Sequence, residues 1–310
     1  MAVARAAERR CDLEPDGATE ATPIHPWQST DMRLTPALTL LLALFPLGFI
    51  ACGDDDDDGG GSDQPHAFEV EVKEDLGQSR VTAPETAEPG AVEIRFTNSG
   101  QQSHSLEIVQ VGDGHTAAEI KAAGEGWGEE GKPLPDWITF KGGIGSTKPG
   151  GSGVAVVDLP AGDYVAFDIE GKGKTPYAEF TVDGDEGEGL PEVPAVIEAT
   201  EYDFTTSDLE SGSQQVRVQN NGQEPHHVVA APLKPGKTID DVKQFIKTEK
   251  GEPPIQEQKS FNTAIVSGGE TQLVDLRLES GDYALLCFVP DRAGGPPHAV
   301  KGMAAVATVQ

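Results

Sequence analysis

The chain has three cysteines, Cys11, Cys52 and Cys287, and only Cys287 lies in the body of the sequence. Cys11 sits in a polar N-terminal stretch and Cys52 closes an apolar one. In an exported protein a thiol without a disulfide partner calls for a chemical account. Side chains able to do chemistry lie on either side of it. His226 and His227 stand upstream, His298 and Met303 downstream. Thiolate and thioether sulfurs are soft donors, and imidazole is intermediate. The plainer reading also stands: a buried Cys packs as a small hydrophobe, with loop histidines and a core methionine around it. No Ser–His–Asp order, carboxylate pair, phosphate-cradling loop or His-x-His pair stands out. The residues therefore point away from an enzyme in itself.

Three stretches carry a resemblance. Asn220-Asn221-Gly222-Gln223-Glu224-Pro225-His226-His227-Val228-Val229 resembles the segment that bears the first histidine ligand in plastocyanins. Gly281-Asp282-Tyr283-Ala284-Leu285-Leu286-Cys287 resembles the strand that delivers their cysteine. Pro297-His298-Ala299-Val300-Lys301-Gly302-Met303 resembles their closing segment. Together they look like a cupredoxin, the β-sandwich of the blue-copper proteins. The resemblance implies one copper per chain, held by His226, Cys287 and His298 with Met303 as a weak axial ligand. That is a trigonal site suited to both copper oxidation states. It implies one-electron transfer with a redox partner protein that the sequence does not identify. The alternatives are copper sequestration or delivery, which three methionines do little to support, and a metal-free interaction module. Two positions depart from plastocyanins. Ten residues separate Cys287 from His298 where that family has two, and Asp291–Pro297 is expected to turn back on itself. The position after the first histidine, usually a bracing Asn, is His227. If His226 points inward at a strand edge, the period of two sends His227 outward, so His226 is taken as the ligand.

The elements that must position these residues come in two copies. Ile94-Arg95-Phe96-Thr97-Asn98-Ser99-Gly100-Gln101-Gln102-Ser103-His104 aligns with Val216-Arg217-Val218-Gln219-Asn220-Asn221-Gly222-Gln223-Glu224-Pro225-His226 at a constant offset, and Gly162-Asp163-Tyr164 aligns with Gly281-Asp282-Tyr283. Alternating segments predict strands over Val92–Phe96, Val154–Leu159 and Tyr164–Ile169. In the second copy they predict strands over Gln215–Val218, His227–Ala231, Gln272–Leu278 and Tyr283–Val289. Thr116 with Glu119, and Thr238 with Asp241, each predict the capped start of one short helix. The expectation is an all-β chain of tandem Greek-key β-sandwiches, each with one short helix, over residues 65–184 and 194–310 with a linker at 185–193. In the first copy His104 matches His226, but Asp168 stands at the Cys287 position and no His or Met follows, so no copper site is expected there. Its Gly-rich segment, Gly124 to Gly153, carries Trp127 and Trp137, read either as partner-binding aromatics or as core cover.

The N-terminus reads as an address. Residues 1–31 are read as over-called, with Met32-Arg33 opening a signal peptide over 32–51. Gly48-Phe49-Ile50-Ala51-Cys52-Gly53 resembles a bacterial lipobox, which implies lipidation at Cys52 and an extracytoplasmic, membrane-anchored protein. Asp54–Asp58 and Gly59–Ser62 then form an acidic, extended tether within 52–64. The formal charge of −29 argues against nucleic-acid partners, whose phosphates need Lys and Arg. With 37 Gly and 23 Pro along the chain, helix interiors would be broken too often for a helical bundle.

Overall fold

The computed structural model describes residues 65–124, 127, 132–171 and 176–310. The leader, Cys52 and the acidic tether lie outside them. In the first copy the elements are β1 (His66–Asp75), β2 (Gln78–Thr82), β3 (Thr86–Ala87), β4 (Gly90–Asn98), β5 (His104–Val111), α1 (Ala117–Gly124), β6 (Ile138–Thr147), β7 (Ser152–Leu159), β8 (Gly162–Phe167) and β9 (Tyr177–Val182). In the second they are β10 (Val196–Thr200), β11 (Asp203–Ser207), β12 (Gly212–Asn220), β13 (Val229–Pro232), α2 (Ile239–Thr248), a 3₁₀ turn (Glu257–Lys259), β14 (Phe261–Asn262), β15 (Thr271–Leu278), β16 (Gly281–Leu286), α3 (His298–Lys301) and β17 (Ala304–Val309). The fold is all-β, as the alternation predicts. In β4, Val92, Ile94 and Phe96 are buried while Arg95 and Thr97 face out. The second copy departs from one helix per copy: besides α2 it has the 3₁₀ turn and the four-residue α3.

The two copies are not separate beads. One sheet of eight strands runs β11-β10-β12-β15-β7-β4-β1-β2. Read from its middle outward, each half of that order is the counterpart of the other. The join is an antiparallel pairing of β7 with β15, its own repeat, with Val156 opposite Leu273. Behind it, β3-β9-β8-β5-β6 closes the first copy and β14-β13-β16-β17 the second. All described residues fall within one unit, Gly60–Gln310.

The described part of the Gly-rich segment lies against the second copy. Gly143 N–H donates to Gln272 Oε1 at 3.0 Å and Ser146 N–H to Asn262 Oδ1 at 2.9 Å. A Cβ on Gly145 would fall 1.8 Å from the Asn262 carbonyl oxygen, so only glycine lets β6 come this close. Trp137 stacks on His115 with centroids 4.0 Å apart. Trp127 donates its indole N–H to the Asp291 carbonyl at 2.9 Å. Both rings are thus committed within the chain.

Local chemistry explains the repeated Asn–Gly–His signal. Asn98 and Asn220 are fully buried. Asn220 Nδ2 donates to the carbonyls of Glu224 and Val266 at 2.7 and 2.9 Å, and its Oδ1 accepts from Gly222 N–H at 2.9 Å. Asn98 makes the same three bonds, to Gln102, Thr147 and Gly100. Each Asn clasps the loop that delivers its histidine. The glycine leaves room for a carboxylate, Glu74 or Glu201, to accept from the loop amides. Both expected helix caps are present, with Asp241 completing the box at Thr238 and Glu119 at Thr116.

Candidate metal centre

Cys287 directly follows β16, His298 opens α3, and Met303 precedes β17, the antiparallel neighbour of β16. One connection therefore carries all three, while His226 comes from the Asn220 loop and bridges to Val266. The insert between Cys287 and His298 turns out and returns. Gly294 N–H donates to the Asp291 carbonyl at 2.8 Å, His298 N–H to Val289 at 3.0 Å and Ala299 N–H to Cys287 at 2.7 Å. The ten residues therefore form an excursion that leaves His298 beside the strand end. Gly302, at φ 111°, ends α3 in the left-handed conformation that glycine adopts without penalty. The next residue, Met303, then donates its amide to the His298 carbonyl at 2.9 Å.

The structure brings His226, Cys287 and His298 together in the interior. Cys287 Sγ lies 3.7 Å from His226 Nδ1 and 3.5 Å from His298 Nδ1, and the two Nδ1 atoms are 3.0 Å apart. A point equidistant from three atoms so spaced lies ~2.0 Å from each, near the length of a metal–imidazole bond (about 2.0–2.1 Å for zinc). Met303 is fully buried and belongs to the same hydrophobic core as Cys287.

Asp291 fixes the proton of His298. His298 Nε2 meets Asp291 Oδ1 at 2.9 Å. The carboxylate holds the proton on Nε2 and turns the Nδ1 lone pair inward. Asp291 is itself held by Lys301 and by the Tyr202 hydroxyl at 3.1 Å. Burial pulls against its ionisation, but Lys301, Tyr202 and His298 outweigh it and keep its carboxyl below the usual range. His226 Nε2 is buried with no hydrogen-bond partner among the described residues. Burial, with His298 beside it, pulls His226 down to about 4, and burial likewise lowers His298. Burial pushes the Cys287 thiol up to about 12, against the backbone amides of His227 and Val289 at the sulfur. The two Nδ1 atoms face each other across 3.0 Å beside the sulfur. A bound cation would replace the thiol proton and satisfy all three donors. The donor set, two imidazoles and a thiolate, fits copper.

His227 follows the period of two but does not reach open solvent. β13 begins only at Val229. Burial nevertheless alternates from His226 to Ala230, and His227, on the other side from His226, stays half-buried, accepting from Phe288 N–H through Nε2 at 2.9 Å. It braces the residue after Cys287. Sequence reasoning missed Asp291 as the partner of His298. The single available signal was an acid inside the unexplained insert.

No family model and no curated protein matches this chain. Among solved structures, auracyanin from Roseiflexus castenholzii is similar at 17% identity over 37% of this chain and 94% of its own, with a TM-score of 0.25. A copper nitrite reductase from Nitrosomonas europaea is 14% identical over 79% of this chain and 94% of its own, with a TM-score of 0.22. A multicopper oxidase is 14% identical over 79% and 88%, with a TM-score of 0.23.

The first copy offers an internal contrast. At the position of the His–Cys–His cluster, His104 Nδ1 lies 2.7 Å from Asp168 Oδ2, and His104 Nε2 lies 3.2 Å from Glu74 Oε1. Asp168 also accepts from the amides of Ser105 and Glu170 at 3.3 and 3.2 Å. Both imidazole nitrogens are taken by carboxylates, so a hydrogen-bonded histidine occupies the place that soft donors hold in the second copy.

Proposed function

We propose that the second copy holds one copper through His226, Cys287 and His298, with Met303 as the weak axial ligand, and that the protein passes single electrons to and from a partner protein. The observation that carries this reading is the convergence of one sulfur and two Nδ1 atoms in a buried cluster, with Asp291 turning the His298 Nδ1 lone pair inward. When bound, copper supplies a one-electron couple between its two oxidation states. The protein's part is to keep the ligands in one arrangement for both. Asp291 orients one imidazole, His227 holds the cysteine loop, and burial keeps water out. Full burial of His226, Cys287 and His298 favours a retained ion over one handed on, which speaks for electron transfer above delivery. The leader and the Cys52 junction support anchoring by lipid outside the cytoplasm, with the acidic tether as a spacer. No helix among the described residues is long and apolar enough to cross a membrane.

Titration of the purified chain with copper(II) tests the site. Intense visible thiolate-to-copper absorption should saturate at one equivalent and vanish in Cys287→Ser, while far-ultraviolet circular dichroism stays unchanged. Undiminished absorption in that variant would place the chromophore elsewhere.

A further inference from the structure

The insert between Cys287 and His298 is anchored in the other copy of the fold. Arg292 reaches across with both guanidinium arms. Nη1 donates to the Pro135 carbonyl at 2.9 Å, and Nη2 to the Ile138 carbonyl at 2.9 Å and to Ser267 Oγ at 3.2 Å. Leu134 N–H donates back to the Arg292 carbonyl at 2.6 Å. Trp127 donates its indole N–H to the carbonyl of Asp291. Four first-copy residues thus grip two consecutive insert residues by main-chain and fork contacts, the planar geometry that lysine cannot reproduce. Arg292 N–H also donates to Glu224 Oε2 at 2.6 Å, tying the insert to the loop of His226.

The gripped residue Asp291 is the one whose side chain holds His298 Nε2. Its backbone belongs to the grip and its carboxylate to the imidazole. We infer that the first copy is a positioning element for the metal centre: it fixes the insert, and the insert fixes His298. This rests on the metal reading given above. It accounts for a long insert that a shorter loop could replace if its only task were to connect Cys287 to His298. It also gives the first copy, whose own position is filled by Asp168, a part in the chemistry.

The test uses the full chain with Trp127→Phe, which keeps the ring but removes the indole donor, and Arg292→Lys, which keeps the charge but removes the fork. In metal-free protein, hydrogen exchange should quicken about tenfold at the amides of Arg292, Gly294 and His298 in either variant, with β12 and β15 unchanged. After copper loading, release to a chelator should be about tenfold faster, the lower end of what outer-partner loss does to metal affinity, and the visible band should shift in position. Trp127→Phe, the milder change, decides the matter if Arg292→Lys does not fold. Variants that exchange and release copper within twofold of wild type, with an unshifted band, would overturn the inference while leaving the metal site standing. A wild type lacking the thiolate band would sink the metal reading, and this inference with it. General loss of stability with an unshifted band would mean that the grip only supports the fold, which also overturns it.

Discussion

Asn220→Ala separates the loop clasp from the metal site, because Asn98→Ala is its built-in control. Each side chain is fully buried and makes three hydrogen bonds within 2.7–2.9 Å. At about 1 kcal/mol net for each bond, either substitution should cost ~3 kcal/mol. For a unit of this size that corresponds to a drop in melting temperature of about 6–12 °C. The two variants should lose similar stability in urea denaturation followed by circular dichroism. They should part in copper binding. Asn220→Ala frees the loop that carries His226 and should weaken copper retention about tenfold or more, whereas Asn98→Ala frees only the loop of His104 and should leave it unchanged. A cost below ~1 kcal/mol for both would refute the clasp. Equal effects on copper would refute the link between the Asn220 loop and the metal.

Glu107 is buried, with Ile265 N–H donating to its Oε2 at 2.9 Å, and burial raises its carboxyl pKa well above the ordinary value. The folded state therefore holds its proton more tightly than the unfolded chain does. Its contribution is most favourable below the unfolded value of about 4.3 and is lost as pH rises through the folded one. Glu107→Gln should flatten the fall in urea midpoint above pH 4, and parallel profiles for variant and wild type would disprove this. Gly145→Ala drives a Cβ into the Asn262 carbonyl and should cost about 1–3 kcal/mol by thermal denaturation; an unchanged melting temperature would contradict the close approach. His104→Ala should leave copper stoichiometry at one per chain by metal analysis after desalting, and a drop to zero would mean that the first copy holds the ion.

Much of this was legible in the sequence because the same local task recurs. A buried Asn that clasps a loop, a Gly that admits a carboxylate and a His at the loop end leave the same letters at both Asn98 and Asn220. The caps at Thr116 and Thr238 were legible because they act within four residues. Alternation separated His227 from the side of His226, but it could not show that His227 meets Phe288 N–H instead of solvent, a contact between residues far apart in sequence. The role of Asp291 was out of reach, since nothing near it in sequence shows that its backbone is held by Trp127 and its side chain by His298. The pairing of β7 with β15 was equally hidden: a strand's pattern tells which face is buried, not which edge is covered.

That pairing has a consequence for the chain's history and its handling. A strand edge left open offers unpaired amides to any passing chain. Here β7 and β15 each close the other's edge. The molecule is in effect a dimer written on one polypeptide, whose members meet at a local concentration that dilution cannot lower. One member can change the residues of its histidine cluster without losing its mate, since the mate needs only its edge. Cutting the chain between the copies would expose two adhesive borders, and the fragments should re-pair or aggregate before either behaves as an independent β-sheet body.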